Sequence, residues 1–166
     1  MVLGTFAAGI LLHPAPAGAA EEIVVGQPFS ADSGDTCLYG STRGELAWDA
    51  TLLPTTVSAV AVKAVVVDRP TVDDPGIACP DDRRYTVATF TASGGKTVVD
   101  NEAVRVDNGR VEVAFILADP GTKALPIDLV VVQVCRVSPL IVTDPTGALL
   151  YDYCGKPQEY RLPIWT

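Results

Sequence analysis

The amino-acid sequence predicts an all-β domain, an antiparallel β-sandwich of about eight or nine strands. Segments rich in valine and other β-branched residues alternate with clusters of Gly, Pro, Asp and Asn. No long segment shows the apolar periodicity of an amphipathic helix. The expected topology is immunoglobulin-like or a related Greek key, and a closed barrel is the alternative.

Residues 127–137 (IDLVVVQVCRV) are predicted to form the central strand. Alternate valines from Val130 to Val134 lie on one face, and the opposite face is also largely apolar. The charged residues Asp128 and Arg136 occur only near the two ends of the first face. Because neither face suits contact with water, we expect this strand to be covered on both sides.

Residues 1–20 (MVLGTFAAGILLHPAPAGAA) predict a secretory signal peptide. An apolar run over residues 2–12 is followed by Pro14 and Pro16, and then by small residues that suit a signal peptidase. The run has no preceding Lys or Arg, so a short buried helix is the alternative. It is too short for a transmembrane helix, which needs about 20 residues. We therefore expect a secreted protein, not inserted in the membrane after signal removal, with a single domain at residues 21–166.

The first half of this domain alternates apolar runs with polar loops. Valine predominates in the longest of these runs, which favours a strand over a helix. Three Pro, one Gly and four Asp exclude regular structure from the loop that precedes Tyr85. The predicted segments are an edge strand at residues 23–25, a loop at 30–43, a strand or helical turn at 45–53, a strand at 56–68 and a loop at 69–84.

Residues 85–117 predict a three-stranded antiparallel meander. Its first turn is the sequence Ser-Gly-Gly-Lys at residues 93–96. Its second turn contains Asn108 and Gly109, a strong signal for a type I′ hairpin because both central residues need a positive φ. Further strands are predicted at residues 127–137, 140–142, 148–154 and 160–165.

The middle strand of the predicted meander carries charges on its apolar face. Asp100 and Glu102 fall in phase with Val98 and Val104. A regular, fully buried strand would not place carboxylates among valines. The pattern therefore indicates a bulge or a half-exposed edge in this strand.

Four cysteines, Cys37, Cys79, Cys135 and Cys154, predict two disulfides in an exported chain. We expect the pairs Cys37–Cys79 and Cys135–Cys154, and no Cys-x-x-Cys pair indicates zinc. The second disulfide would close a loop of about twenty residues and contribute on the order of 3 kcal/mol. An immunoglobulin domain has Tyr two residues before its second cysteine. Asp152 stands there in this chain, so the sequence predicts the architecture and not that family.

The net charge of −8 makes nucleic acid a poor partner, because phosphate binding requires a basic patch. The single histidine, His13, lies in the predicted signal peptide, so the mature domain lacks the imidazole of a Ser-His-Asp or Cys-His site. Nucleotide-binding, zinc-protease and serine-hydrolase motifs are also missing. We therefore expect no catalysis, and a hydrolase that uses only two carboxylates is the alternative. The composition suits a high-GC bacterium.

The acidic loop supplies the candidate metal ligands Asp73, Asp74, Asp81 and Asp82. Carboxylates and loop carbonyl oxygens are the groups that bind Ca²⁺, although the spacing matches no EF-hand. A solvated loop without a bound ion is the alternative. No other cofactor is expected.

Arg83, Arg84 and Tyr85 follow this loop and form a candidate binding site. A disulfide-braced loop that ends in arginine is typical of some protease inhibitors, because a cross-link lowers the entropic cost of binding. Neutralisation of the neighbouring aspartates is the alternative role of the two arginines. C-terminal aromatic residues, among them Tyr151 and Tyr153, suit either a core or a glycan-stacking platform. Together these features predict a secreted, non-catalytic binding protein whose partner is a protein or a glycan.

Overall fold

A computed structural model of the chain describes residues 22–52, 55–68, 82–121, 125–138 and 153–163. Regular structure within these ranges is entirely β-strand, and they contain no helix long and apolar enough to cross a membrane. The predicted signal peptide at residues 1–20 lies outside them. The strands are β1 (Glu22–Asp32), β2 (Gly40–Leu52), β3 (Thr55–Asp68), β4 (Tyr85–Gly94), β5 (Thr97–Val106), β6 (Gly109–Ala118), β7 (Leu129–Val137), β8 (Tyr153–Cys154) and β9 (Gln158–Tyr160).

The strands form two antiparallel sheets that pack face to face. Sheet A has the order β1-β2-β3-β6, and sheet B has the order β5-β4-β7-β8, with β9 also paired to β7. The predicted all-β sandwich is therefore confirmed at the level of architecture. The immunoglobulin-like order is not confirmed, because β1, β2 and β3 are successive neighbours, whereas an immunoglobulin sheet joins its first, second, fifth and fourth strands.

The hairpin of β4 and β5 is confirmed, and so is the irregularity predicted in its second strand. Gly94 pairs with Thr97 across a turn in which Gly95 has a φ of 61°. The register shifts between Ala92 and Ser93, so that Val99 is an extra residue in β5. Because β5 is the edge strand of sheet B, most of its side chains are exposed.

The prediction that the third strand of the meander pairs with the second is wrong. Asn108 and Gly109 both have a positive φ, as a type I′ turn would require, yet they carry the chain from β5 in sheet B to β6 in sheet A. The backbone amide of Asn108 donates to Asp68 Oδ2 at 2.9 Å, at the end of β3. This long-range hydrogen bond fixes the corner, and β6 pairs with β3 instead of β5.

Several predicted boundaries also change. The edge strand β1 is longer than residues 23–25, and it continues through Pro28, which an edge position tolerates. The loop predicted at residues 30–43 shrinks to the connection between Asp32 and Gly40. β2 is a strand and not a helical turn, and β3 agrees with the segment predicted at 56–68. The C-terminal strand β9 begins at Gln158, before the predicted segment, and residues 139–152 lie outside the described ranges.

The core lies between the two sheets and consists of alternate side chains from both. Phe29 and Phe115 from sheet A contact Phe90 from sheet B edge to face, with ring centroids 5.8 and 5.2 Å apart. Trp48 is fully buried, and its indole nitrogen donates to Gln27 Oε1 at 3.0 Å, so its polar atom is satisfied. The valines of β3 and β7 fill the remaining inner surface.

β7 has the central place in sheet B that the sequence predicts, between β4 and the short strands β8 and β9. Its inner face, from Val130 to Val134, is fully buried. The expectation that both faces are covered holds at the C-terminal end of β7, where Cys135 and Val137 on the outer face are buried. It is wrong for Leu129, Val131 and Gln133, which are half-buried. A two-layer sandwich covers only one face of each sheet, and the valines tolerate the half-exposed side.

Gly44 in β2 provides a test of this packing. A Cβ atom added at Gly44 would collide with the backbone oxygen of Lys63 and lie 2.8 Å from Ala64 Cα in β3. We expect Gly44→Ala to lower the free energy of unfolding by about 1–3 kcal/mol, because two strand backbones must separate. Gly121→Ala is the control, since its Cβ would meet only the side chain of Asp119. Urea unfolding measures both variants, and equal losses would contradict the packing.

Candidate functional site

The predicted site residues that the structure describes meet at one end of the sandwich, which we call the polar end. Its centre is Arg136, the penultimate residue of β7, with only 1% of its surface exposed. Arg136 shares the inner face of β7 with the buried valines, so its guanidinium enters the sandwich instead of solvent. A charge buried in this way is stable only when its hydrogen-bonding groups are paired.

Two carboxylates and two uncharged oxygens pair with this guanidinium. Asp82 binds it in a bidentate fashion, with Oδ1 2.6 Å from Nη2 and Oδ2 3.3 Å from Nε. Nη1 donates to Asp68 Oδ1 and to Thr86 Oγ1, and Nη2 also donates to the Arg84 carbonyl at 2.9 Å. Only the planar fork of arginine presents donors in these directions, so lysine could not replace it.

The partners of Arg136 come from separate parts of the fold. Asp68 ends β3 in sheet A, whereas Thr86 and Arg136 belong to β4 and β7 in sheet B. The Thr86 hydroxyl donates to Asp68 Oδ1 at 3.0 Å, and Asp68 Oδ2 accepts the Asn108 amide of the corner described above. The cluster therefore ties the two sheets together at the end where β5 crosses to β6.

The electrostatics of the cluster favour the ion pairs. Burial alone lowers the pKa of Arg136, but its hydrogen bonds and charge attraction to Asp82 and Asp68 outweigh burial, so the pKa is raised. The guanidinium consequently stays charged at every physiological pH. The ring of Tyr39 lies 5.4 Å from Arg136 Cζ and adds a cation–π contact.

The loop between β1 and β2 is organised by Asp35. Its Oδ1 accepts the amides of Cys37 at 3.0 Å and Tyr39 at 3.2 Å, and its Oδ2 accepts the hydroxyl of the buried Ser33. Ser33 Oγ in turn accepts the Gly40 amide at 3.1 Å. These short-range bonds hold the loop in one conformation beside the buried guanidinium.

The rim of the polar end presents Arg84 and Tyr153 to solvent. Arg84 Cζ lies 5.5 Å from the centre of the Tyr153 ring, and the Arg84 side chain is 37% exposed. Burial raises the pKa of the Tyr153 phenol, and the nearby charges of Asp35 and Asp82 raise it further. The phenol therefore stays protonated and can donate a hydrogen bond at neutral pH.

The three consecutive residues predicted as a binding site do not form one exposed surface. Arg83 is exposed and has a φ of 55°. Tyr85 is buried at the start of β4, and Arg105 Cζ lies 3.7 Å from the centre of its ring. Only Arg84 and Arg83 reach the surface. A protease groove binds an extended segment, so the left-handed backbone at Arg83 does not favour the inhibitor hypothesis.

Of the candidate calcium ligands, only Asp82 is among the described residues. Both of its carboxylate oxygens accept from Arg136, and Oδ1 also accepts the Arg84 amide at 3.1 Å. Its oxygens are therefore already in use as structural acceptors. Within the described part of the chain, no group of three or more His, Cys, Asp or Glu residues is placed to hold a metal ion. Asp73, Asp74 and Asp81 lie outside that part, and the calcium site stays a prediction.

The predicted disulfide between Cys135 and Cys154 is confirmed. It joins neighbouring residues of β7 and β8, directly below the polar end. Cys37 is not a free thiol, and its predicted partner Cys79 lies outside the described residues. The confirmed disulfide holds Tyr153 next to Arg136 in the register of the two strands.

Sequence reasoning missed Asp68 and Thr86, and it treated Arg136 as a charge at a strand end. The signal for Arg136 was its position in phase with three buried valines of β7. Asp68 gave a weaker signal of the same kind, since it follows Val66 by two residues at the end of the inner face of β3. Nothing local in the sequence indicates that these two residues pair.

Replacement of Arg136 tests the energetics of the polar end. We expect Arg136→Leu to lower the free energy of unfolding by about 3–5 kcal/mol, because it leaves Asp68 charged and buried without a counterion. Arg161→Leu is the matched control, since Arg161 is exposed and lies 3.9 Å from Glu159. An exposed pair contributes at most about 1 kcal/mol. Urea unfolding at neutral pH compares them, and similar losses for both variants would refute the role of the cluster.

Comparison of the chain with protein-family models, with curated proteins and with solved structures finds no match. A sandwich architecture hosts many unrelated functions, so the fold alone does not select one. The function must therefore be argued from the polar end itself.

Proposed function

We propose that this chain is a secreted, non-catalytic binding protein whose partner contacts the polar end. The observation that carries the proposal is the partly exposed pair of Arg84 and Tyr153 above a fully paired buried cluster. Arginine and tyrosine are enriched among the residues that dominate protein interfaces. Secretion is supported by the signal-like segment at residues 1–20 and by the disulfide between Cys135 and Cys154.

The backbone at Arg84 supports a preorganised binding surface. Its amide donates to Asp82 and its carbonyl accepts from Arg136, so both sides of the residue are held. The Tyr153 backbone pairs with Arg136, one residue before the disulfide. A partner would therefore meet side chains that lose little further backbone freedom on binding, which improves affinity.

A binding role fits these residues better than hydrolysis. The two carboxylates closest to the buried centre, Asp68 and Asp82, are both paired with Arg136, and a general acid or base needs a free carboxyl group. A protein partner is favoured over a glycan, because Arg84 already covers one face of the Tyr153 ring. Sugar rings bind by stacking on such faces.

The test is capture of a partner with variants that change only Arg84 and Tyr153. The immobilised protein is exposed to culture supernatant and cell-surface extract, and bound proteins are identified by mass spectrometry. We expect a specific partner whose capture falls about tenfold or more for Arg84→Ala combined with Tyr153→Ala, the loss typical of interface hot spots. Lys96→Ala combined with Thr97→Ala, at the β4–β5 turn on the opposite end, should leave capture unchanged.

Thermal unfolding of each double variant confirms that it is folded before capture is compared. Capture that is equal for both double variants would refute the polar end as the binding surface. Conversion of a substrate by the wild-type protein would refute the non-catalytic role.

A further inference from the structure

The outer face of sheet A is a second surface that the polar end does not explain. We define it as the even-numbered residues of β1 from Val24 onward and of β6, together with the odd-numbered residues of β2 up to Asp49 and of β3 from Ala59 onward, which point away from the core. Val24 and Ile116, at its two edges, are 70% and 63% exposed. Between them the register aligns Gly26, Ala47 and Ala61 with Ile116 in one flat, apolar row.

This face carries opposite charges, and Glu45 and Lys63 form no ion pair within the described part of the single chain. The two residues are directly opposite each other on β2 and β3, and both are exposed. The Glu45 carboxylate instead lies over Gly26, where an added Cβ would collide with it. Lys63 borders a shallow groove of about 460 Å³ whose rim also carries Arg43 and Glu112.

We propose that the outer face of sheet A binds a second copy of the same chain. The two copies are related by a two-fold axis that runs parallel to the strands, between β2 and β3. Rotation about this axis places β2 over β3 of the second copy and β1 over β6 of the second copy. The interface is then self-complementary, as a two-fold dimer requires.

The observed register makes the charges match under this rotation. Glu45 faces Lys63 of the second copy, and the same contact occurs twice. Asp32 and Arg110, at the two edges of one row, face each other in the same way, and Arg110 also binds Glu112 of its own strand at 2.8 Å. Opposite charges that meet across an interface fix its register and disfavour other arrangements.

The apolar row matches as well. Ala47 faces Ala61 of the second copy, so two flat surfaces of small side chains meet at the centre. Ile116 faces Gly26 of the second copy, in the space that the Glu45 carboxylate leaves when it turns to Lys63. Two solvent-exposed apolar side chains per copy are thereby covered, since Val24 faces Ala118.

The area of the outer face of sheet A predicts the affinity of the dimer. Four strands about 4.8 Å apart, each about ten residues long at roughly 3.3 Å per residue, present about 600 Å² per copy. The pair would bury about 1,200 Å² in total, at the lower limit of stable interfaces. We therefore expect a reversible, concentration-dependent dimer that weakens as salt screens its ion pairs.

Sedimentation velocity of the purified protein, from micromolar to millimolar concentration, tests the dimer and its geometry. We expect Lys63→Glu and Glu45→Lys each to weaken association about tenfold or more, because each change places two like charges in contact. The double variant Glu45→Lys with Lys63→Glu restores the opposite charges and should restore association. Lys96→Glu, in the exposed β4–β5 turn, is the matched charge-reversal control and should associate as the wild type does.

Each other outcome overturns the proposal. A wild-type protein that stays monomeric throughout excludes the dimer. Single reversals that associate like the wild type place the interface elsewhere. A double variant as weak as the single ones would contradict the contact of Glu45 with Lys63, because that variant restores both the opposite charges and the net charge of the wild type. Because all three positions are exposed, thermal unfolding should be unchanged in every variant.

Discussion

The buried guanidinium of Arg136 is the interaction on which the rest of this structure depends. A charge that is buried away from water is stable only if its hydrogen-bond donors meet acceptors in fixed positions. Here those acceptors are Asp68 at the end of β3, Thr86 in β4 and the loop residue Asp82. One side chain therefore sets the relative position of both sheets and of the segment that leads into β4.

This constraint also shapes the surface above it. The carbonyl of Arg84 is bound to the guanidinium, and the Arg84 side chain then lies against Tyr153, which the disulfide of Cys154 holds in place. This partly exposed pair of side chains is thus held in place without being fully buried. The same ion pairs that fix it also occupy the carboxylates of Asp68 and Asp82, which is why the arrangement suits recognition more than proton transfer.

Sequence patterns predicted the elements whose causes are local. The β4–β5 hairpin, its bulge near Asp100 and the pairing of Cys135 with Cys154 follow from turn chemistry, alternation and spacing. The crossing at Asn108 did not, because the same positive φ values serve a hairpin or a corner, and the hydrogen bond that the Asn108 backbone amide donates to Asp68 selects the corner. Arg136 was missed as a buried centre for a similar reason, since its partner Asp68 is 68 positions away in the chain.

The most direct test of the central claim is hydrogen exchange of the Arg136 side chain, followed by NMR of the ¹⁵N-labelled protein. If the guanidinium is buried and paired to Asp68 and Asp82, its Nε and Nη protons should give separate signals that exchange far more slowly than those of the exposed Arg161. Asp68→Asn should accelerate that exchange. Protons of Arg136 that exchange as rapidly as those of Arg161 would contradict the account.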